Sequence, residues 1–578
     1  MVKSLEYFGI RDAFCVTGGA IAQFTFELSK SRLIRTHFML TEQSAGIAAE
    51  AYGHYDNRPA VLVVTSGPGV TNAMTPVAAA WTNSTPMIVI SGQARSQDVV
   101  ASKDLDCRQV GNQHLNTAGM VDTIVKDFLE VTSLNKLDYN LMNFFEKSTE
   151  GRKGPVWISL PSDIQRIKFD YVEALERLET YVAAQSSEEL QVTTEVLIDR
   201  IIAEFIAAKR PAILIGNGAR SDLIQDAISR ISERFDAAIL TTWPALDLVS
   251  KDNPRLCGRP GTIPSSWMAN FVQQSCDFLL ILGVRLDLAQ VGYQPENFAQ
   301  NATKIRIEID DSEHFRIPKS SHIETFTLDS KLIVSALLSK SEGMSLSKDD
   351  WWKEICTFKK WPKAGENQPD FLGLDIYDVI TQLAERKPKD IVLGSSGTCV
   401  EMALQSWEPC QGQRFLNSGG LGSMGFALAA AYGVSKKTKG DLLVIESDGS
   451  LAMNLQDFFS ILQSPNVFRI VLLNSRGYKS IDLSQRRQGH DLHGTSVKFG
   501  VPLPEYSKFL PAIGIRYRSI SHSEELKESL TWLFSGEETS LLDVMVSSDQ
   551  EATPRLISKL DANGQMKTAD FLDLWPPR

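Results

Sequence analysis

The chain has 578 residues, of which 43% are hydrophobic and 22% are charged, and this length exceeds what one hydrophobic core holds, so about three or four domains are expected. A net charge of −11 argues against a nucleic-acid-binding surface. No apolar run approaches the roughly 20 residues of a membrane span, and no signal-peptide pattern follows Met1. The seven cysteines are scattered, as is typical of reduced thiols, so we expect a soluble cytoplasmic protein.

Apolar strand patterns alternate with helical patterns through the first 165 residues, which predicts a parallel α/β domain over residues 1–168. Each predicted strand ends in a polar or glycine-rich turn, and Glu42 follows the second strand. Because the carboxyl ends of parallel strands meet at one edge, this edge is a candidate ligand site. Any one of these loops could equally be a tight turn with no ligand. The predicted strands are 13–16, 38–40, 60–64 and 86–90.

A polar segment at 183–187 is the predicted linker to a second α/β domain over residues 190–338. Its predicted strands end in Gly216-Asn217-Gly218, in Gly283-Val284-Arg285 and in Asp310. A nucleotide-binding sheet is one interpretation, but a G-N-G turn without a third glycine is a weak dinucleotide signal. The predicted strands are 211–215, 238–241, 278–282 and 305–309.

The third predicted α/β domain covers residues 368–550, and a tail follows over 551–578. Strands at 442–445 and 470–473 flank a helix at 454–463, so the turns after both strands lie at the same sheet edge. Asp448 offers a carboxylate there, and the Asn474-Ser475 turn and Gly477 offer neutral oxygens, as a hard divalent cation prefers. An ordinary strand-end aspartate is an equal alternative.

The motif E-S-D-G-S at 446–450, followed by N-S-R-G-Y at 474–478, resembles the metal and diphosphate motif of enzymes that use thiamine diphosphate (ThDP). The runs T-E-Q-S-A-G from Thr41 and V-T-S-G-P-G-V-T-N from Val64 resemble the acetolactate synthase-like branch of that family. The resemblance covers essentially the whole chain. It implies three consecutive parallel-sheet α/β domains, namely a pyrimidine domain, a central domain and a diphosphate domain.

On this resemblance Glu42 hydrogen-bonds the pyrimidine N1′ of ThDP, and the resulting proton transfers make the thiazolium C2 nucleophilic. Met424 matches the residue that wedges beneath the thiazolium. The alternatives are a helix N-terminal glutamate and a core methionine. Asp448, Ser475 and Gly477 match the Mg²⁺ ligands, although Ser475 replaces an asparagine and Ser447 replaces a glycine. The other residues expected to contact ThDP are Thr65, Gly67, Asn72, Gln93, Ser396, Gly397, Thr398, Gly422, Gly449, Ser450 and Tyr478.

The segment from C-G-R-P-G to the strand ending in G-V-R-L-D resembles the central domain of the acetolactate synthase group, which binds flavin adenine dinucleotide (FAD). A purely architectural middle domain, as in related decarboxylases, is the alternative. The residues that the resemblance places around FAD are Gly261, Asn270, Gly283, Arg285 and Asp310.

The loop that reaches the substrate in this family contains Gln113 and His114, where synthases read Q-E; Gly19 is the other residue expected near the substrate. His114 is a substrate contact, an acid–base group or merely a loop histidine. The tail ending D-L-W-P-P-R resembles the branch found in unusual-sugar and surface-polysaccharide pathways. Because Met1 begins inside the predicted first helix, a truncated start is expected.

The resemblance implies a ThDP- and Mg²⁺-dependent carboligase that decarboxylates a 2-oxo acid, pyruvate first among them. The two-carbon acyl unit then goes to an acceptor carbonyl, which this branch predicts to be a keto-sugar nucleotide. The alternatives are acetolactate synthase, a 2-oxo acid decarboxylase or pyruvate oxidase-type oxidoreductase, and a silent binding subunit. A homodimer or homotetramer with sites shared between subunits is expected, without nucleic acid or membrane partners.

Overall fold

The computed structural model describes residues 1–105, 107–133, 137–167, 192–358, 360, 362–366, 368, 371, 373–394, 397–561 and 563–577. It contains three six-stranded parallel sheets, which confirms the predicted α/β class. The first sheet has the strand order β2-β1-β3-β4-β6-β5. Its strands are β1 Asp12–Cys15, β2 Arg35–Phe38, β3 Ala60–Val64, β4 Met87–Gln93, β5 Asp127–Glu130 and β6 Pro155–Pro161.

The first sheet is covered by helices on both faces, and its central strands β3 and β6 are fully buried and almost entirely apolar. One of its two longest helices, α3, is rich in alanine, so it packs closely against its neighbours. The helices are α1 Val2–Tyr7, α2 Ala22–Ser29, α3 Glu42–Asp56, α4 Pro68–Thr82, α5 Ser96–Ser102, α6 Thr117–Val121 and α7 Leu137–Lys147.

The middle sheet has the order β12-β11-β10-β7-β8-β9, the doubly wound order in which the chain changes direction between β7 and β10. Its strands are β7 Pro211–Ile215, β8 Ala238–Thr241, β9 Leu256–Gly258, β10 Phe278–Leu282, β11 Thr303–Glu308 and β12 Ile323–Thr327. Its helices are α8 Val192–Ala207, α9 Ile224–Phe235, α10 Trp267–Ser275, α11 Leu288–Val291, α12 Glu313–Arg316, α13 Ser330–Lys340 and α14 Asp349–Phe358.

The third sheet repeats the strand order of the first, as β14-β13-β15-β16-β18-β17, and its switch point lies between β13 and β15. Its strands are β13 Asp390–Leu393, β14 Arg414–Leu416, β15 Leu442–Ser447, β16 Phe468–Asn474, β17 Arg516–Ile520 and β18 Ser540–Met545. Its helices are α15 Ile376–Ala384, α16 Thr398–Ser406, α17 Ala427–Val434, α18 Asp448–Leu451, α19 Asp457–Leu462, α20 Lys479–Arg487, α21 Tyr506–Ala512 and α22 Leu526–Leu533.

The tail folds back on the middle domain through two short antiparallel pairs. The Nδ2 of Asn270 donates to the carbonyl of Phe571 at 2.8 Å, and Phe571 and Leu574 share a small core with Trp267. The pairs are β19 Arg555–Leu556 with β22 Leu574–Trp575, and β20 Ser558–Leu560 with β21 Met566–Thr568.

One hydrophobic core joins the first and third domains, because α3 packs directly against α17. Alanines predominate at this contact, so the two helix backbones approach closely. The middle sheet instead buries its two faces in separate cores built from its own helices and from Trp351 and Ile355 on α14. The first and third domains therefore share a core that the middle domain does not.

Two sequence-based element bounds were wrong. The strand predicted at 38–40 is Arg35–Phe38, an edge strand whose mixed, partly exposed residues give no apolar run. The helix predicted at 454–463 is a 3₁₀ turn, Ala452–Asn454, followed by the short helix Asp457–Leu462. The predicted linker 183–187 lies outside the described residues. Among the helices that the structure describes, none is both long and apolar enough to span a membrane.

Candidate active site

Asp448 is the first residue of α18, directly after the central strand β15. Three oxygens lie together here, and we call the Asp448 Oδ1, the Ser475 Oγ and the Gly477 carbonyl oxygen the oxygen cluster. The Ser475 hydroxyl lies 3.4 Å from Asp448 Oδ1 and 3.1 Å from the Gly477 oxygen, and its backbone N–H donates to Asp448 Oδ1 at 3.2 Å. This is a donor set of one carboxylate and two neutral oxygens, which suits a hard cation.

The Asp448 carboxylate is incompletely satisfied by the protein. Burial raises its pKa to about 6, against the lowering effect of the backbone N–H groups of Ser475 and Gly477. Its Oδ2 is buried and has no hydrogen-bond partner within the described part of the chain. A buried carboxylate oxygen without a partner is costly, so a bound cation would relieve this cost.

Two residues that the sequence reasoning missed support this turn. The Tyr506 hydroxyl donates to the Asp448 carbonyl at 2.5 Å. The Asn474 Nδ2 donates to Asp543 Oδ1 at 3.0 Å, so the Asn474 amide holds the neighbouring strand. Asp543 had a visible signal, because it is the one charged residue in the apolar strand S-L-L-D-V-M, and such a residue needs a buried partner. Tyr506 had none.

The Tyr478 ring packs directly on the backbone of Gly449, where an added Cβ would lie 2.4 Å from the ring. Only glycine fits between α18 and this ring. On the opposite side, the Thr398 N–H at the start of α16 donates to Ser480 Oγ at 2.8 Å, which ties α16 to α20. The Thr398 hydroxyl lies 2.9 Å from the same oxygen. Ser396 lies outside the described residues.

The glycine-rich segment 417–425, which we call the 417–425 loop, reaches the same switch point. The Gly425 N–H donates to Ser450 Oγ at 2.9 Å, and the Asn454 Nδ2 donates to the Gly425 carbonyl at 2.7 Å. The structure therefore brings together most of the residues predicted for the third domain, namely Gly397, Thr398, Asp448, Gly449, Ser450, Ser475, Gly477 and Tyr478. Met424 directly precedes Gly425 in the chain, and Gly422 lines the cavity between the domains.

The corresponding edge of the first sheet is open. Glu42 begins α3 and is partly exposed, and its Oε2 accepts a hydrogen bond from the exposed Asn72 Nδ2 at 3.0 Å. Gly19 is exposed, with no neighbour within 4 Å of the position a Cβ would take. Among the described residues, no hydrogen bond or ion pair joins Glu42 to the third domain. Within the part of the chain that the structure describes, the predicted catalytic glutamate therefore makes no polar contact with the oxygen cluster.

The loop with Gln113 and His114 packs on this open edge. Gln113 has a φ of 55°, which is uncommon for a residue other than glycine, and it lies over Gly67, where an added Cβ would approach it to 3.0 Å. The buried Gln93 Nε2 donates to the Leu115 carbonyl at 3.2 Å, so Gln93 holds the loop from behind. His114 is buried, and the Thr65 Oγ1 is buried without a partner in the described chain.

The carboxyl edge of the middle sheet opens into a cavity of about 1110 Å³ that all three domains line. Gly283 and Arg285 line it, and Arg285 is exposed with no ion-pair partner within the described residues. The Asn270 side chain instead hydrogen-bonds backbone groups of the protein. Its Oδ1 accepts from the Gly261 N–H at 2.8 Å, and its Nδ2 donates to the carbonyl oxygens of Gly261 and Phe571. The Asp310 Oδ2 accepts from Arg152 of the first domain at 2.8 Å.

Sequence models of three thiamine pyrophosphate (ThDP) enzyme domains match the chain in the same order as the three sheets. The N-terminal TPP-binding domain matches residues 1–120, the central domain residues 198–328 and the C-terminal TPP-binding domain residues 395–544. The chain belongs to the thiamine pyrophosphate enzyme family. The predicted family and the prediction that the chain is an enzyme are therefore confirmed.

Relatives of this ThDP enzyme include a probable chloroplastic acetolactate synthase 2 of Oryza sativa subsp. japonica. It is 27% identical over 595 residues, covering 98% of this chain and 85% of the relative. The acetolactate synthase large subunit of Cyanidium caldarium is 26% identical over 98% of this chain and 95% of its own length. A solved ThDP-dependent 4-hydroxybenzoylformate decarboxylase of Rhodococcus jostii RHA1 superposes with a TM-score of 0.75 at 16% identity, covering 94% and 98% of the two chains, which shows the shared fold.

The third-domain edge of this ThDP enzyme fits its cofactor on two observations. Asp448 Oδ2 is buried and lacks a partner in the described chain, and at Gly397 the nearest atoms to the position of an added Cβ lie 3.9 Å away, so the backbone is open there. When bound, ThDP supplies a carbon nucleophile and an electron sink for reactions of 2-oxo acids. The protein's contribution is to position the cofactor, to exclude water and to supply a proton at the right atom.

Proposed function

We propose that this ThDP enzyme is a Mg²⁺-dependent carboligase. It decarboxylates pyruvate and joins the two-carbon acyl unit to an acceptor carbonyl, which we propose is the keto group of a nucleotide-linked sugar. The oxygen cluster with the unpartnered Asp448 Oδ2 carries the metal part of this proposal. The relatives named acetolactate synthase support carbon–carbon bond formation.

Mg²⁺ would be held by Asp448, the Ser475 hydroxyl and the Gly477 carbonyl, with diphosphate and water completing its coordination. Ser475 contributes a hydroxyl to the oxygen cluster, where the family motif has the amide of an asparagine. The other residues predicted to contact ThDP are proposed to line the cofactor site or to hold its loops in place. Gly397 leaves the backbone open, and Gly422 has a left-handed backbone with a φ of 70°. Gly449 makes room for the Tyr478 ring, whereas the Thr398 and Ser450 hydroxyls hold neighbouring elements in place.

Glu42 is proposed to exchange a proton with the cofactor through its carboxylate, held by Asn72. Glu42 has no hydrogen bond or ion pair to the third domain among the described residues, which supports a site shared by two copies of the chain. Large apolar side chains are exposed close in sequence to each half of the proposed site. Leu40, near Glu42, is 61% exposed, and Met453, near Asp448, is 50% exposed. Such surfaces favour burial in an interface, so a homodimer or a tetramer of such dimers follows.

The acceptor is proposed to meet the loop of Gln113 and His114, with Gly19 on the exposed side. The buried position of His114 and the left-handed backbone of Gln113 support a fixed rather than a mobile loop. A histidine in place of the glutamate of the synthases changes the hydrogen-bonding groups available to an acceptor. This change, with the tail, favours a sugar ketone over a second pyruvate.

FAD is proposed to occupy the three-domain cavity. The doubly wound order of the middle sheet, with Gly283 at its switch point and the unpaired Arg285, supports a dinucleotide there. Asn270 and Asp310 then have supporting roles, since both are already engaged by protein groups, as is the Gly261 backbone. A flavin absorption band in the purified protein would support this, and its absence after reconstitution with FAD would favour an architectural middle domain.

The test of the function is pyruvate consumption with ThDP and Mg²⁺, with products identified by mass spectrometry, in the presence and absence of a 4-keto nucleotide sugar. We expect an acetyl-branched sugar only when the sugar is present. Acetolactate without the sugar would make the chain a synthase, which is the second candidate because of the relatives' names. Bleaching of bound flavin by pyruvate would indicate an oxidase, and no ThDP binding would indicate a silent subunit.

A further inference from the structure

Glu50 is a buried carboxylate at the junction of the first and third domains that none of the roles above uses. It lies on α3, two turns after Glu42, and only 1% of its surface is exposed. Its Oε1 accepts hydrogen bonds from the Asn83 Nδ2 at 2.8 Å and from the Ser418 hydroxyl at 2.7 Å. Asn83 ends α4 of the first domain, whereas Ser418 belongs to the 417–425 loop of the third.

Asn83 extends the contact farther along the loop. Its Oδ1 accepts from the Gly420 N–H at 2.9 Å, and its Nδ2 also donates to Ser418 Oγ at 2.6 Å. An added Cβ at Gly420 would lie 2.5 Å from Asn83 Oδ1, so the loop backbone sits directly on Asn83. Glu50 therefore orients Asn83, and the two residues together bind two positions of the loop.

The other end of the loop is fixed separately, by Ser450 and Asn454 at Gly425. Met424, proposed to support the cofactor, lies next to this end. A loop held at both ends has fewer conformations than one held at a single end, so the position of Met424 depends on the Glu50 contacts as well.

The Glu50 contacts carry an energetic cost. Its Oε2 is buried and has no hydrogen-bond partner among the described residues, and burial raises the pKa of Glu50 to about 7. An apolar side chain would fill the same space without this penalty. Packing alone therefore gives no reason for a carboxyl group at this position, whereas the two hydrogen bonds across the domain junction do.

We propose that Glu50 is a positioning residue of the ThDP site, which acts through Asn83 and Ser418 to hold the 417–425 loop. The inference rests on the proposed role of Met424 at the cofactor. Glu50 touches neither substrate nor cofactor in this proposal. Its effect is on the loop before any ligand binds, and on the cofactor only through the loop.

The test compares Glu50→Ala with Glu50→Gln, whose side-chain oxygen can accept the same two hydrogen bonds. Amide hydrogen exchange of the 417–425 loop is measured on the full chain without cofactor, and ThDP affinity by calorimetry with Mg²⁺ present. We expect about tenfold faster exchange in the loop and about tenfold weaker ThDP binding for Glu50→Ala, with Glu50→Gln close to the unaltered chain.

The matched control is Asp390→Ala. Asp390 also accepts a hydrogen bond across the same domain junction, from the Tyr55 hydroxyl at 2.6 Å, but no hydrogen bond joins it to the loop among the described residues. We expect this variant to leave loop exchange unchanged. Unchanged loop exchange in a folded Glu50→Ala protein would overturn the proposal, as would equal loop acceleration in Asp390→Ala.

If Glu50→Ala does not fold, Asn83→Ala removes the bond between Asn83 and Glu50 and the Asn83 bonds to Ser418 and Gly420, while the Ser418 bond to Glu50 remains. Unchanged loop exchange in that variant would overturn the proposal equally. Hydrogen exchange without cofactor does not depend on turnover. A chain that exchanges as expected but forms no carboligation product would therefore contradict the proposed function and leave the Glu50 contacts standing.

Discussion

The first and third sheets share one strand order, yet their ligand edges are built in opposite ways. At the third sheet, Asp448 is buried and is held by Ser475 and Tyr506 of the same chain. At the first sheet, Glu42 is partly exposed, and its hydrogen-bond partner among the described residues is the exposed Asn72. The same topology thus carries a buried carboxylate with several partners from its own chain on one sheet, and a partly exposed carboxylate with one such partner on the other.

This difference follows from what covers each edge. From Ser44 onward α3 is buried, and the Ser44 Oγ accepts from Gln456 Nε2 of the third domain at 3.3 Å, whereas Glu42 at the helix start is partly exposed. A carboxylate left exposed gains little from its own chain, so it is available to a second copy. The comparison therefore predicts that changes at the two edges have separable effects on cofactor binding and on turnover.

The largest effect is expected from Asp448→Asn, because this change removes the one carboxylate of the oxygen cluster. We expect Mg²⁺-dependent ThDP affinity to fall by at least about 100-fold and turnover to fall below detection. Calorimetry with and without Mg²⁺ measures this. Asp378→Asn, on α15 and bonded only to Gln382, is the control and should change neither quantity. Unaltered Mg²⁺-dependent ThDP affinity in Asp448→Asn would show that the oxygen cluster is not the metal site.

The next effect is expected from Glu42→Gln, which should keep ThDP affinity but lower turnover by about 10²- to 10⁴-fold, since only proton exchange is lost. Co-expression of this chain with the Asp448→Asn chain tests whether sites are shared. Random dimers would then contain one intact site in half of the assemblies, so about a quarter of normal turnover should return. No recovery in assembled mixtures would place both residues of a site in one chain.

A smaller effect is expected at Ser475, which supplies one neutral oxygen of the cluster. Ser475→Ala should weaken Mg²⁺ affinity by about tenfold, whereas Ser475→Asn, which carries an amide oxygen, should not weaken it. A titration of Mg²⁺ at fixed ThDP measures both variants. Equal affinity of the alanine and unaltered chains would show that water occupies the position assigned to the serine hydroxyl.

The smallest effect concerns stability and pH. Asp457 lies on α19, and neither of its carboxylate oxygens has a partner in the described chain; burial raises its pKa to about 7. The folded state therefore binds more protons than the unfolded state between the unfolded pKa and pH 7. The free energy of unfolding should consequently fall as pH rises through this range, by on the order of 1 kcal/mol per pKa unit.

Urea denaturation at about pH 5.5 and about pH 8 measures this slope. Asp457→Asn should reduce it but not abolish it, because burial also raises the pKa of Glu50 and of Glu446 to about 7. A slope unchanged in the asparagine variant would show that Asp457 ionises in the folded protein without cost. This loss of stability is expected in the absence of cofactor.

The sequence predicted the three sheets well because most positions of their central strands are apolar, as in A-V-L-V-V of β3 and F-L-L-I-L of β10. Edge strands such as β2 were misplaced, since their exposed residues follow no apolar pattern. The turns of the third domain were predicted because strand ends with glycine, aspartate and serine meet at one edge. Those contacts involve neighbouring strands, so local patterns suffice to find them.

The sequence could not show which polar side chains satisfy one another. Gln93, Asn270 and Asp310 were predicted to contact cofactors, but each is engaged by protein groups far away in the chain. Glu50 looked like one more residue of an alanine-rich helix, because its partner Ser418 lies in another domain. Such pairings depend on how domains dock, and no local pattern records that.

The core shared by α3 and α17 has a consequence for how the chain loses its structure. Because this core joins the first and third domains, neither can unfold without exposing apolar surface of the other. The middle domain has two cores of its own, but its Leu246 also joins a core of the third domain and its Trp267 shares one with the tail. On heating, the two outer sheets should therefore disappear together in one calorimetric step.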